Sequence, residues 1–309
     1  MLSRPARLRV AVFGVLAALF SAAGARAEPL VVATTPDLKS ITEAVAGGAV
    51  RVETLVPPGT DAEGFEPRPS HLGLVRDAVL AIRVGLGYDD WLDPLVTRSG
   101  NTRVQRGAAG QLDLSREVAL LEVQGRSIEQ QSGHAHGAAN PHYWLDPANA
   151  EPMSAVIAEA LVRIAPDKRG VIETAHKRFT AELKARLARW TGAMEAHRGA
   201  PIVVYHNSWP YFARRFRLNI VDVIEPKEGI PPTAARLLSL ATTMRSNKVR
   251  VIVHEPFEPM DASRSLSQRT GAQVVVLAPS VGGAPGTETY FALFDRNVDL
   301  LGKALARQP

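Results

Sequence analysis

Short apolar runs rich in β-branched residues alternate along most of this chain with stretches in which apolar residues recur every three or four positions. Residues 30–34 form the first such run, which stops at Pro36, and helical spacing follows through Ile41 and Val45 until Gly47. The runs are typical of buried strands and the spacing is typical of amphipathic helices. This alternation predicts βαβ units and a mainly parallel sheet, whose ligands bind beyond the carboxyl ends of the strands.

One helical segment is much longer than the others. From Asp167 to about His197, apolar residues keep helical spacing over about 30 residues, which at about 1.5 Å per residue makes a helix roughly 45 Å long. Further strand-like runs lie on both sides of it, at residues 50–56, 78–84, 201–205, 220–224, 249–253 and 274–277. We therefore predict an α/β fold of two lobes, each a mainly parallel sheet flanked by helices. The predicted boundaries are 28–166 for the first lobe, 167–199 for the linking helix and 200–309 for the second lobe.

The first 27 residues have the pattern of a secretory signal peptide. A basic start leads into an apolar run at residues 10–20 and then into an A-x-A cleavage pattern at 25–27. That run is about half the roughly 20 residues that a membrane-spanning helix needs. The segment holds four of the 36 basic residues and no acidic one, so 32 basic residues face 31 acidic ones from Glu28 onward. The formal charge of +5 therefore indicates export, and nucleic-acid binding is not predicted.

The chain contains no cysteine among its 309 residues. This absence excludes disulfide scaffolds, cysteine-based zinc fingers, iron–sulfur clusters and thiol catalysis. The sequence also lacks the motifs G-x-x-x-x-G-K-[ST], G-x-G-x-x-G after a strand, H-E-x-x-H and G-x-S-x-G, which mark nucleotide binding, zinc proteolysis and serine hydrolysis. We expect an exported protein that is not a lipoprotein anchored through cysteine and whose chemistry uses imidazole and carboxylate groups.

Four segments place such groups at strand ends or in loops rich in proline and glycine. They contain Glu63 after the second strand, His142 directly before two bulky aromatic residues, His206 just past a strand, and Glu288 near the start of the last helix. Each residue alone has an ordinary explanation, such as a solvated histidine or a helix cap. Because the βα loops of a parallel sheet converge, two imidazoles and two carboxylates could enclose a divalent transition ion there.

Two of these segments, Asn140-Pro-His-Tyr-Trp-Leu-Asp-Pro147 and Tyr205-His-Asn-Ser-Trp-Pro-Tyr-Phe212, are specific enough to carry a resemblance. With Leu55-Val-Pro-Pro-Gly-Thr-Asp61 and Gly85-Leu-Gly-Tyr-Asp-Asp-Trp-Leu92, they resemble the metal-binding solute-binding proteins of ABC transporters, the periplasmic receptors for zinc and manganese. The resemblance extends over residues 30–301. It implies two α/β lobes joined by one long rigid helix, with a metal ion between the lobes and its coordination positions filled by protein.

The resemblance also implies the ligands, which by position fall on Glu63, His142, His206 and Glu288. Glu63 departs from the usual histidine of the family, and Glu288 replaces its closing aspartate. His206 is similar to the zinc receptors, whereas a balance of two imidazoles and two carboxylates is similar to the manganese receptors. We expect Zn²⁺, with Mn²⁺ or Fe²⁺ as alternatives. The implied partner is an ABC-type permease of the inner membrane, with a periplasmic metallochaperone as a further candidate, and the receptor is expected to be a monomer.

Four auxiliary residues have open roles. Glu255, at the end of a predicted strand, could support a ligand through a hydrogen bond. His71 either joins the site or caps a helix, and His134 and His136 either capture metal transiently or belong to a solvated loop at residues 133–137.

Three alternatives to the four-ligand receptor stay open at this point. The glutamate at position 63 is compatible with a three-ligand site, and also with a metallohydrolase in which Glu63 acts as a general base. A binding protein of the same fold that has lost its metal is the third. For the receptor, we expect affinity to fall as His142 and His206 become protonated below about pH 6.

Overall fold

Two parallel four-stranded sheets form the framework of the protein. The computed structural model describes residues 28–122, 139–227 and 229–307, so the predicted signal peptide and the histidine loop with His134 and His136 lie outside the described residues. The first sheet has the strand order β2-β1-β3-β4; its strands are β1 (Leu30–Ala33), β2 (Arg51–Thr54), β3 (Leu80–Arg83) and β4 (Gln111–Asp113). The second has the order β6-β5-β7-β8; its strands are β5 (Pro201–Val204), β6 (Asn219–Val223), β7 (Val251–His254) and β8 (Gln273–Val276).

Helices connect the strands of each sheet and cover its faces. In chain order they are α1 (Pro36–Ala46), α2 (His71–Asp77), α3 (Leu92–Ser99), α4 (Ala150–Ile164), α5 (Arg169–Met194), α6 (Pro210–Phe216), α7 (Ala234–Ser246), α8 (Asp261–Thr270) and α9 (Tyr290–Ala306). None of the helices in the described ranges has the length and apolarity needed to cross a membrane.

Helix α1 illustrates why the predicted elements form where they do. The side chain of Thr35 caps the helix by accepting the backbone N–H of Leu38, and Pro36 occupies the first turn, where its missing N–H costs nothing. Gly47 ends the helix with φ of 57°, a left-handed conformation that glycine adopts without strain. The strand–helix alternation read from the sequence is confirmed, and so is the two-lobe α/β fold.

Helix α5 is the long helix that joins the two sheets. It has 26 residues and is extended at both ends by 3₁₀ turns, Pro166–Lys168 and Glu195–His197. At about 1.5 Å per residue its α-helical part is roughly 39 Å long. Asp295 of α9 accepts a hydrogen bond from Trp190 Nε1 at 2.8 Å and pairs with Arg186. This contact ties the last helix to the linking helix.

One apolar core runs beneath both sheets. It contains buried side chains from the first sheet and α1, from α5, and from the second sheet and α9, among them Val31, Ile41, Phe179, Trp190, Val251 and Leu293. The two lobes therefore share one apolar core.

Candidate metal centre

Glu63 is brought to the cleft by the loop that follows β2. Asp61 Oδ1 accepts the backbone N–H of Glu63 at 3.0 Å, and Trp91 Nε1 donates to the carbonyl of Ala62 at 3.1 Å. These bonds hold the loop on both sides of Glu63, whose side chain is only 8% exposed. A carboxylate is thus kept inside the cleft.

His142 faces this carboxylate. Its Nε2 lies 3.2 Å from Glu63 Oε1, while its Nδ1 lies 3.2 Å from Asn140 Oδ1. Since an amide oxygen only accepts, this contact assigns the proton to Nδ1 and leaves Nε2 toward the cleft. The rings of Tyr88 and Trp144 pack against the imidazole, with centroids 5.6 and 5.2 Å away.

His206 completes the cluster from the second lobe. It follows β5, and its Nε2 lies 4.0 Å from Glu63 Oε2. Its Nδ1 lies 2.6 Å from Glu225 Oε2. Burial disfavours the charged imidazole, but the hydrogen bond to Glu225 and the negative charges of Glu63 and Glu255 outweigh it and raise the pKa of His206 to about 9.

The three residues offer one ligand atom each, and these atoms lie within 4.8 Å of one another. Glu63 and His142 precede α5 and His206 follows it, so the donors come from both lobes. Within the described part of the chain, this is the group that the structure brings together in a geometry able to hold a metal ion.

The cluster opens into a cavity of about 260 Å³ between the lobes. Part of its wall links the lobes directly: Asp37, in the first turn of α1, accepts hydrogen bonds from Ser280 Oγ at 2.7 Å and from the backbone N–H of Val281 at 2.9 Å. Burial raises the pKa of Asp37 to about 6, although these two bonds lower it. Beside this contact, Gly282 approaches Pro58 so closely that an added Cβ would lie 2.5 Å from the proline Cβ.

Two of the predicted site residues lie elsewhere. Glu288 is exposed, just before the cap of α9 at Thr289, and its Oε1 accepts the backbone N–H of Gly286 at 2.8 Å. It therefore neither starts the helix nor reaches the cluster. His71 is the first residue of α2, and its Nδ1 accepts the backbone N–H of Arg68, which precedes the helix, at 3.1 Å. It therefore lies outside the cluster, and it does not cap α2 through its side chain either.

The acid that contacts His206 is Glu225, which was not predicted from the sequence, and not Glu255, which was expected to support a ligand. Glu255 Oε1 accepts from Trp209 Nε1 at 2.6 Å and from Ser208 Oγ at 3.2 Å, so it influences His206 through its charge. Burial raises the pKa of Glu255 to about 7, against the lowering effects of His206 and Trp209. The hydrogen bond to His206 is made by Glu225, which directly follows a predicted strand. That position at a strand end is the feature of the sequence from which Glu225 could have been predicted.

A two-lobed α/β fold with an imidazole–carboxylate cluster between its lobes defines the class of bilobal solute receptors that bind metal ions. Within this class, the family model of the zinc-uptake complex component A, periplasmic (ZnuA), matches residues 31–304, and the chain belongs to this family. The high-affinity zinc uptake system protein ZnuA of Paracoccus denitrificans (strain Pd 1222) is 30% identical over 261 residues, covering 73% of this chain and 76% of that protein.

Solved structures show the same architecture. A zinc-bound deletion mutant of ZnuA has a TM-score of 0.76 at 25% identity and covers 91% of this chain and 100% of its own. The Mn-bound periplasmic metal binding protein from Candidatus Liberibacter asiaticus has a TM-score of 0.74 at 18% identity, covering 90% and 100%, and this likeness concerns the fold alone. The family consists of solute-binding receptors, so the chain is not an enzyme, and the metallohydrolase alternative is set aside.

Proposed function

We propose that this protein captures Zn²⁺ in the cleft and delivers it to an ABC-type permease of the inner membrane. The observation that carries the proposal is the cluster of the Glu63 carboxylate with the Nε2 atoms of His142 and His206. Ligand bonds of about 2.0 Å in a tetrahedral zinc site place neighbouring donor atoms roughly 3.3 Å apart. The distance from His142 to Glu63 is already 3.2 Å, and that from His206 to Glu63 is 4.0 Å. One donor atom from each residue lies within 4.8 Å of the others, so shifts of roughly 1.5 Å or less bring all three to the spacing of a tetrahedral site.

The donor set favours zinc over harder ions, since two of its three donors are imidazoles. The carboxylate of Glu63 moves the preference toward Mn²⁺ or Fe²⁺, which stay as alternatives. With three protein donors, a bound ion would keep one tetrahedral position for water, in place of the ligand first expected at Glu288. Glu63 lies within 4.0 Å of both imidazoles, where it acts as a ligand rather than as a base on a separate water.

The remaining features of the proposal rest on the leader, the absent cysteine and the family pattern. They are a periplasmic receptor without a lipid anchor, a monomeric state, a permease as recipient, and a metallochaperone as a further candidate partner. The description of the family as a periplasmic component of a zinc-uptake complex supports the compartment and the transport role.

The test is metal binding by the purified protein with both imidazoles removed. The unaltered chain should bind about one Zn²⁺, and His142→Ala combined with His206→Ala should weaken binding by roughly a hundredfold or more, about 2.7 kcal/mol. His197→Ala, at the far end of α5, removes a histidine outside the cleft and should change nothing. Chelator competition with Zn²⁺ and Mn²⁺ gives the affinities and the preference together. Unchanged zinc affinity in the double variant would overturn the proposal.

A further inference from the structure

Glu225 uses its two carboxylate oxygens on two different partners in the wall of the cavity. Oε2 lies 2.6 Å from His206 Nδ1, and Oε1 accepts the backbone N–H of Gly229 at 2.7 Å. The residue is 4% exposed, and its own N–H donates to the carbonyl of Tyr205 at 2.9 Å, next to His206. One buried carboxylate thus connects a proposed ligand with a separate stretch of backbone.

The contact with His206 determines which ring nitrogen faces the cleft. A carboxylate accepts hydrogen bonds, so Nδ1 carries a proton and Nε2 points toward Glu63. Histidines that bind metals commonly donate their other N–H to a carboxylate in this way, which fixes the ring and makes the coordinating nitrogen a better donor. Glu225 therefore prepares His206 to bind through Nε2.

The contact with Gly229 holds a turn at the mouth of the cavity. We call residues 225–227 and 229–230 the rim turn. Within it, Lys227 and Ile230 form an antiparallel bridge, and the Ile230 N–H donates to the Lys227 carbonyl at 2.9 Å. Gly229 lines the cavity and has φ of +71°, which favours glycine. Ile230, the next residue, has 48% of its surface exposed. The rim turn thus has one side on the cavity and an apolar side chain on the surface.

We propose that Glu225 is a positioning residue that couples metal occupancy at His206 to the rim turn. An ion on Nε2 fixes the imidazole ring, and with it the position of the Nδ1–H and of the carboxylate that accepts it. The other oxygen of that carboxylate then stays in place beside the Gly229 N–H. The rim turn, with Ile230 on its surface, is therefore better ordered in the loaded protein than in the empty one. This inference rests on the proposed metal capture.

The test compares Glu225→Gln with the unaltered protein, in the empty and the zinc-loaded forms. Glutamine has one acceptor oxygen in place of two, so it cannot serve both His206 and Gly229. Zinc affinity should fall by about 10–100-fold, the usual effect of losing a hydrogen-bond partner of a ligand. In the unaltered protein, zinc should slow hydrogen exchange at the Gly229 amide by roughly threefold or more. In Glu225→Gln that response should disappear. Imidazole ¹⁵N spectra of the loaded protein should show His206 bound through Nε2 with a slowly exchanging Nδ1 proton, and this proton should exchange faster in the variant.

Two further variants separate the outcomes. Asp222→Asn removes the same charge from strand β6, where Asp222 pairs with Arg236, and should keep the zinc affinity and the Gly229 response. Glu225→Asp retains two acceptor oxygens on a shorter side chain, and it replaces Glu225→Gln if the latter does not fold.

The coupling is refuted if Glu225→Gln binds zinc as the unaltered protein does. It is also refuted if that variant loses affinity while the Gly229 response to zinc persists, because Glu225 would then support the ligand without reaching the rim turn. In both cases metal capture itself stands. If the unaltered protein binds no zinc, the proposed function fails.

Discussion

Zinc binding should release a proton from His206 and should depend on pH well above the range of an ordinary histidine. Burial disfavours the imidazolium, yet Glu225, Glu63 and Glu255 together raise the pKa of His206 to about 9. A histidine without such neighbours has a pKa near 6.5 and is mostly neutral at pH 7. His206 in the empty protein keeps its proton there, and because a ligand nitrogen must be free of its proton, the ion competes with it. The range of pH dependence predicted from the sequence, below about pH 6, therefore moves upward for His206.

The size of the effect follows from the distance between the working pH and this pKa. At pH 7 the solution is about two pH units below the pKa of about 9, so the proton should weaken the apparent zinc affinity roughly a hundredfold relative to its limit at high pH. Between pH 7 and pH 8 the affinity should rise about tenfold, with about one proton released for each ion. Calorimetry in buffers of different ionisation enthalpy, with a chelator to hold free zinc low, measures both quantities.

The same raised pKa has a consequence for the empty fold. Its stabilising contribution is fully present below about pH 6.5 and is lost as the pH rises through about 9, because the folded state then gives up the proton that it held more tightly than the unfolded state. The melting temperature of the metal-free protein should therefore fall between pH 7 and pH 9.5. Zinc affinity that stays constant from pH 7 to pH 8.5, with no proton released, would refute the reasoning for His206.

Further predictions concern metal preference and stability. Glu63→His should raise the preference for zinc over manganese by about tenfold, or about 1.4 kcal/mol, in a competitive titration; an unchanged ratio would place Glu63 outside the ligand set. Gly282→Ala should lower the free energy of unfolding in urea by about 1–3 kcal/mol, because Gly282 has φ of +73° and the new Cβ would meet Pro58 at 2.5 Å. Gly286→Ala is the control, because Gly286 also has a left-handed φ of +82° but its added Cβ would meet no atom within 4 Å. It should lower the free energy of unfolding by less, and equal losses in the two variants would show that the contact with Pro58 contributes nothing. Arg83→Met should lower the free energy of unfolding by roughly 3–5 kcal/mol, since Arg83 is 1% exposed and pairs with three carboxylates. Thermal unfolding measures this change, and a decrease of less than about 1 kcal/mol would contradict the prediction.

The fold could be predicted because both of its periodicities are strong in the sequence. Strand β1 is a continuous apolar run because it is buried on both faces, and α5 keeps helical spacing from Ile172 to Met194 because one side of it packs on the core. Such patterns show directly which residues are buried, and burial largely determines whether a segment forms a strand or a helix. The two histidines of the cluster could be found for a related reason, since His206 follows a buried strand and His142 directly precedes the buried Tyr143 and Trp144.

The remaining parts of the site depend on geometry that no periodicity records. Strand β5 lies between β6 and β7. Glu225, two residues after the end of β6, and Glu255, directly after β7, therefore flank His206 from opposite sides. Only the strand order and the side-chain directions decide which acid makes the hydrogen bond. Glu288 follows a turn closed by the Gly282 N–H donating to the Thr287 carbonyl at 2.7 Å. In a turn of this kind, backbone hydrogen bonds set the direction of a side chain.

The common core beneath both sheets has a consequence for the rate at which the ion is exchanged. Separating the lobes would expose Phe179 and Leu293, which are buried in that core, at a cost of about 25 cal/mol for each Å² of apolar surface. Local opening of the Glu63 loop exposes far less, so it is the less costly route by which an ion can leave. The residence time of the metal should therefore be governed by a small fluctuation at the top of the cleft, and mild denaturant should shorten it only slightly.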